Sequence, residues 1–554
     1  MQQETSVAFD ALSYVWGSPN DPHTVDVNIA LNDGTTKAFK VSVIRNLATT
    51  LQHLRRTDVA RTVWADAICI NQHDYDERAQ QVLMMGDIYR CAQNVVAFLG
   101  PTMSDSTIAM GLISKISRVV KVDFGSGLVE PSTEGEAEPG WVDMHTLLDI
   151  EHEHLLALFH LLNREWFERL WIRQEIGLGG DWVSLLCGHD SIEWSSFCRA
   201  IFVLHRRTIE SLGILDGIEQ DSLRDRLGMA DTVALFSKRA FRFTNLRRQI
   251  GRSKYTDQRD RIYGVLGQLR DAAQIGIIPD YNETVAEVYI DATQKNIRPS
   301  QGLSVLCQCT EDCSLHLPSW VPDWSTPLFS ASVHEARPPF FDPLPAWESI
   351  EDKVLRAYGL RCGSISQVAR PFGDSLEGVD DFTTAQAVQD VLVSVKRHVA
   401  HTGDELVTEA RYRCLLLNNF ATRWMPTVPY EAPFEECMAL VRALLSPSKT
   451  MTETIAIPEA SHCLNKLRGA CRDRALIVTD TGHLGMGPDS ASSGDEFYLL
   501  FGTWKPAILR PAVQEQHCVV GGECYVHGMM SAEPILGPIP QSLRGLLDPM
   551  PSAG

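Results

Sequence analysis

Across its 554 residues the chain has no uninterrupted apolar run near the ~18–20 residues that cross a bilayer, and Met1 to Ser6 lack the apolar core of a secretory signal. No membrane span is therefore expected, and a soluble, cytoplasmic location is. Blocks of clustered Lys and Arg are missing too. With a formal net charge of −20, the chain repels a phosphate backbone, which argues against nucleic acid as a partner. Cysteine is present fourteen times but scattered, as suits reduced thiols rather than a disulfide framework. The one dense group, Cys307, Cys309 and Cys313 with His316, lacks the paired spacing of a zinc site, so buried free thiols are expected and no metal.

Most catalytic signatures are also missing. There is no Gly-x-x-x-x-Gly-Lys-Ser/Thr loop, no His-Glu-x-x-His helix and no Gly-x-Ser-x-Gly elbow. The glycine runs Gly177 to Gly180 and Gly485 to Gly487 are too short for a dinucleotide fingerprint. His152 and His154 stand two apart and fall on different sides of a helix.

What is present is a pattern of short apolar runs separated by helical stretches, which predicts a parallel sheet. The runs are Phe9 to Gly17, Val63 to Ile70, Val95 to Leu99 and Val183 to Cys187. Val25 to Ile29 and Phe39 to Val43 read as a hairpin turning at Asn32-Asp33-Gly34. Asn46 is placed to cap a helix carrying Leu47, Leu51 and Leu54. Asp74 and Glu77 are spaced as a capping box for a helix with Val82, Met85, Tyr89 and Ala92 on one stripe. Residues 123–140, rich in Gly, Glu, Ser and Pro, read as an exposed loop.

Beyond residue 200 the pattern is mostly helical to about 325, and Trp320 to Ser325 reads as a packed loop with buried indoles. A Pro- and Ser-rich linker, 326–345, leads to a strand at Val354 to Leu360, helices between about 383 and 446, and short strands after Arg474 that predict a small barrel or sandwich. At 554 residues more than one core is required. The expected division is 1–200 (α/β), 201–325 (helical), the linker 326–345, and 346–554 (α+β).

Ligands of open parallel sheets bind beyond the carboxyl ends of the strands. Ser13, Tyr14 and Trp16 end the first strand, and Asp66, Cys69, Asn71 and Gln72 end the next. Such a cluster supplies a π-face and hydrogen-bonding groups for a small molecule; equally, Asp66 and Asn71 serve as turn braces. Later, Trp171 and Glu175 stand one helical turn apart.

These segments resemble the fungal heterokaryon incompatibility (HET) domain. The resemblance rests on Ala11-Leu12-Ser13-Tyr14-Val15-Trp16-Gly17, on Asp66 to Gln72 with the following Glu77-Arg78 and Gln81-Val82, and on Trp171 to Glu175, and it covers roughly residues 9–190. Looser likeness to the body that follows this domain runs through Asp257 to Leu266, Pro279 to Tyr281, Trp320 to Ser325, Gly482 to Asp495 and Gly521 to Met530. Relatives carry a few dozen residues ahead of the Ala-Leu-Ser-Tyr segment and this chain almost none, so a lead strand or covering segment is expected to be missing. The HET domain is in turn similar in layout to the Toll/interleukin-receptor (TIR) domain, which implies a flavodoxin-like sheet. In NAD-cleaving TIR domains a helix glutamate is catalytic, and by position that is Glu175. A carboxylate there would stabilise the oxocarbenium-like state of nicotinamide release, with an aromatic wall holding the base.

The resemblance implies a non-self recognition protein of the programmed cell death type, with NAD as a candidate substrate and no bound cofactor. Self-association and other incompatibility proteins are the implied partners. Two alternatives remain open: a signalling adaptor without chemistry, and a HET-fold enzyme of secondary metabolism acting on another small molecule.

Overall fold

In a computed structural model the described residues are 7–530, except 31–34, 143–145, 147, 149, 181, 207–216, 239–240, 301, 312, 329–345, 352, 371–378, 396–403, 419–433, 447, 457–459, 504 and 513–516. Contacts divide the chain into two compact units, Met1–Phe241 with Arg252–Thr284, and Arg242–Gly251 with Val285–Gly554. The stretch 201–325 thus contributes to both. The hairpin turn at Asn32 to Gly34 and most of the 326–345 linker lie outside the described residues. Among the described residues no helix is long and apolar enough to cross a membrane.

In the first unit, β1 (Asp10–Tyr14) is followed by the antiparallel pair β2 (Pro22–Ala30) and β3 (Thr36–Ile44), then α1 (Arg45–Leu54), β4 (Val63–Trp64), α2 (Asp66–Cys69), α3 (Tyr75–Cys91) and β5 (Asn94–Phe98). Next come α4 (Ser106–Val119), the short ribbon β6 (Val120–Val122) and β7 (Val129–Pro131), α5 (His152–Leu162), α6 (Ile172–Leu178), β8 (Val183–Cys187), β9 (Asp190–Glu193), α7 (Trp194–Arg206) and α8 (Gly217–Lys238). The main sheet runs β4-β1-β5-β8-β9, parallel except for the edge strand β9. The four parallel strands follow the flavodoxin-like order that the resemblance implies, with antiparallel β9 at the edge.

Alternation along the strands sorts the two faces. Leu12, Tyr14, Val96 and Phe98 share one buried cluster with Leu47, Ala48 and Leu54 of α1. On α3 the predicted stripe is buried at Val82, Met85, Tyr89 and, just past its end, Ala92.

Four local expectations need correction. The strand expected over Val63 to Ile70 stops at Trp64, and α2 begins at Asp66. β4 pairs only with Asp10 and Ala11, and the Asp66 carboxylate takes the N–H of Ala67, which turns the chain into a helix. Asn46 does not cap α1; β3 runs straight into the helix, and Asn46 sits inside its first turn. Asp74 does cap α3, accepting from the N–H groups of Asp76 and Glu77, but Glu77 turns away to accept from the N–H of Asn71, so no capping box forms. Within the loop expected at 123–140, residues 129–131 pair with 120–122 as β6–β7.

The second unit carries the two-stranded β10 (Trp347–Glu351) and β11 (Val354–Ala357), then β12 (Gly359–Ala369), β13 (Arg474–Thr479), β14 (Leu484–Pro488), β15 (Glu496–Leu500), β16 (Ala507–Pro511), β17 (Cys518–Glu523) and β18 (Tyr525–Val526). These last seven form a sheet ordered β17-β16-β15-β12-β13-β14-β18. Only Cys524 separates β17 from β18, so one bent strand pairs at both ends of the order and closes a small barrel. Helices at 381–394, 404–415, 434–444 and 460–471 pack on it around one apolar core. Gly485-Met486-Gly487 lies inside β14, where glycine permits the close approach of Tyr525: a Cβ on Gly485 would stand 2.4 Å from the Tyr525 carbonyl oxygen.

Candidate functional site

The carboxyl end of β1 collects most of the sequence-predicted residues. Tyr14 donates its hydroxyl to Asp66 Oδ1 at 3.0 Å, and the Trp16 indole donates to Oδ2 at 2.8 Å. With Ala67 N–H on Oδ1 at 2.8 Å, both oxygens of this 8%-exposed carboxylate are occupied. Ser13 projects to the other face of the sheet, accepts from the Trp166 indole at 2.9 Å and hydrogen-bonds to Glu175.

Glu175 is 1% exposed. Its Oε2 meets Arg169 Nη1 at 3.5 Å, and Arg169 is also the cation that acts on Asp66. Two buried carboxylates thus share one guanidinium. Burial pushes the Glu175 carboxyl up to about 7; Asp66 adds to the rise, while Arg169 and the Ser13 hydroxyl oppose it. Asp66 is also raised by burial, against Arg169, Trp16 and Tyr14. Burial likewise pushes the Tyr14 phenol well up, so it stays a donor to Asp66. Tyr89 completes the group, donating to the Leu12 carbonyl at 2.9 Å.

The remaining predicted residues go elsewhere. Trp171 and Glu175 share a backbone bond, Glu175 N–H to Trp171 O at 3.1 Å, but the Trp171 indole turns to Asp260 Oδ2 at 3.3 Å. There it joins Arg78, which pairs with Asp260 at 3.3 Å and stacks on the Tyr281 ring at 3.8 Å, while Tyr281 donates to Asp260 at 2.6 Å. Segment 252–284 is pinned to the sheet domain by this group. Cys69 is exposed. Asn71 is exposed and accepts from the N–H of His73, bracing the turn, and Gln72 donates to the Asp66 carbonyl at 3.3 Å.

Sequence reasoning did not place Trp166 or Tyr89 at the site, whereas Arg169, six residues before Glu175, is a partner the sequence does offer that carboxylate. Arg169 had a signal: two carboxylates drawn to one strand edge need a cation when buried, and Arg169 lies in the same segment as Glu175. As a whole the cluster sets two carboxylates against one guanidinium, with both carboxylates almost fully shielded from solvent. Among the described residues no group of His, Cys, Asp and Glu is arranged to hold a metal ion.

Comparison with known proteins fits this geometry. Residues 9–175 match the heterokaryon incompatibility protein (HET) family, a span that holds every residue of the cluster and ends on Glu175. Residues 442–536 match the Het-6 beta-barrel domain and take in β13 to β18. The chain is similar to heterokaryon incompatibility protein 6, OR allele, of Neurospora crassa, 25% identical over 95% of this chain and 90% of that protein. No solved structure matches. With a HET domain at one end, the barrel at the other and likeness running through almost its whole length, the chain belongs to the Het-6-like HET-domain proteins.

Proposed function

We propose that this chain acts in fungal heterokaryon incompatibility, as a non-self recognition protein whose sheet domain signals by contact, with itself or with another incompatibility protein. The supporting observation is likeness to the Neurospora protein over 95% of the chain, with the HET and barrel domains in place. The closed cluster favours contact over chemistry: Glu175 is 1% exposed and engaged by Arg169 and Ser13, so in this form no substrate atom reaches it.

A second reading, NAD glycohydrolysis at Glu175, has one observation in its favour. Glu175 lies with Ser13 at the carboxyl end of β1, where ligands of open sheets bind; its carboxyl, pushed up to about 7 by burial, would have to ionise before it could stabilise a cation. It requires the cluster to open on association.

One experiment separates the two. The full chain is expressed strongly in a fungal host and scored for growth arrest, and the purified chain at high concentration is assayed for nicotinamide release, each beside Glu175→Gln. Arrest without release supports contact signalling. Release that disappears in Glu175→Gln, with the circular dichroism spectrum unchanged, supports the enzyme. Normal growth under strong expression, together with unaltered fusion behaviour on deletion, would overturn the incompatibility reading.

A further inference from the structure

Strand order marks a second place on the same edge. The chain leaves β1 for β4 on one side, then returns past β1 to β5, β8 and β9 on the other. Order therefore reverses between β1 and β5, and in doubly wound sheets the crevice outside that pair is where ligands sit. Here it is a cavity of about 410 Å³, at the lower end of the range that holds small molecules.

One wall is α1, with Asn46 and Thr49; another is the loop after β5, with Pro101 and Met103; Arg164 and Glu165 close the third. The walls are apolar from Pro101 and the exposed Met103 and hydrogen-bonding from Asn46 and Thr49. Gly100, with φ +111°, turns the chain here, and a Cβ on it would stand 3.4 Å from Arg164 Nη1.

Arg164 decides the charge of the ligand. Its Nη1 donates to the Leu99 carbonyl at 3.0 Å and its Nη2 to the Ser106 hydroxyl at 2.8 Å, both neutral acceptors. It makes no ion pair among the described residues, although it is only partly exposed and the chain carries a net charge of −20. Glu165 is exposed, where water screens its charge. By contrast, the one guanidinium of the sealed cluster, Arg169, is already engaged by Glu175.

We propose that the crevice between the carboxyl ends of β1 and β5 binds a small aromatic acid, its ring against Pro101 and Met103 and its carboxylate on Arg164. The site is separate from Glu175 and does not depend on whether that residue is catalytic.

The test is binding of 2-naphthoate to the full chain, by calorimetry and saturation-transfer NMR, beside its neutral analogue 2-naphthamide. Saturable one-to-one binding of the acid is expected, with the amide at least ten-fold weaker, since hydrogen bonds to charged groups are the stronger class. Arg164→Gln should weaken the acid about ten-fold and leave the amide within about two-fold. Thr49→Trp fills the cavity without touching the bonds of Arg164 and should abolish both. Arg45→Gln, on the surface and paired with Asp21, should change neither. If Arg164→Gln does not fold, Arg164→Lys, which keeps the charge, and Thr49→Trp carry the test. Equal affinity for acid and amide, no saturation by about 10 mM, or binding that survives Thr49→Trp overturns the proposal.

Discussion

Replacing Glu175 by Gln should stabilise the first unit by roughly 3–4 kcal/mol at pH 8 and by only about 1 kcal/mol at pH 5. The Glu175 carboxyl is held at about 7 in the folded chain by burial, with Asp66 adding and Arg169 opposing, against ~4.3 in an unfolded one. Below ~4.3 both states are protonated and stability is full. Between ~4.3 and ~7 the unfolded chain has lost its proton while the folded one keeps it, so stability falls as pH rises, and above ~7 the loss is complete. At 1.36 kcal/mol for each tenfold step in proton affinity, the loss amounts to roughly 3–4 kcal/mol. Gln keeps the shape of the protonated acid and has nothing to lose. The assay is hydrogen exchange of the α6 amides, corrected for the intrinsic pH dependence and converted to opening free energies between pH 5 and 8. Wild type should lose roughly 2–3 kcal/mol across that range relative to Glu175→Gln. Parallel profiles with a constant offset would refute the reasoning, because they would mean that Glu175 is already ionised at pH 5.

Asp66→Ala strands the Tyr14 hydroxyl and the Trp16 indole N–H, about 1–3 kcal/mol for each buried orphan; a melting temperature lowered by several degrees is the expected readout. Asp260→Asn removes the charge that Arg78 pairs with and should loosen segment 252–284 by about 1–2 kcal/mol, seen as faster limited proteolysis there while the barrel resists. In the second unit Glu523 bonds Arg474 at 2.5 Å and Lys505 at 2.8 Å, all three nearly buried. Glu523→Gln leaves those cations uncompensated and should cost about 3–5 kcal/mol in urea unfolding of that unit. The cations hold the Glu523 carboxyl far below the usual range against the pull of burial. Its contribution is therefore present above ~4.3 and fades as pH falls below that value.

Period and run length carried the sheet. β1, β5 and β8 are short apolar runs bounded by polar residues, and the stripe on α3 is a 3.6-residue repeat. β4 was overextended because Ala65 to Ile70 looks like a strand by composition. What ends it is tertiary: β1 offers only two partners, and Tyr14 and Trp16 take the Asp66 carboxylate. β14 was hidden for the opposite reason. Its Leu-Gly-Met-Gly-Pro sequence has almost no strand propensity, and pairing with β13 and β18 supplies what composition lacks. At the site, Ser13, Tyr14, Trp16, Asp66 and Glu175 were legible because strand ends and helix periodicity converge there. Trp171 was misdirected: one helical turn fixes a shared face, not where two side chains point, and the pull of Asp260, 89 residues on, has no local signal.

The polarity of this sheet edge is divided between a closed cluster and a crevice. In the cluster Asp66 and Glu175 both face Arg169, and every polar group named has a partner, so the residues most like catalytic machinery hold the strand ends together. Next to it Arg164 is held in place by a carbonyl and a hydroxyl and makes no ion pair among the described residues, at the one crevice that strand order itself creates. A half-buried cation without a counter-ion is a standing cost, and a fold that keeps one beside a cavity gains when an anion enters. If association opens the Asp66–Arg169–Glu175 cluster, the ligand crevice shares β1 with it, through Val15 next to Ser13 and Tyr14. Occupancy of the crevice and opening of the cluster are then linked equilibria, and a ligand that stiffens the end of β1 should slow exchange at α6 even though it never touches Glu175.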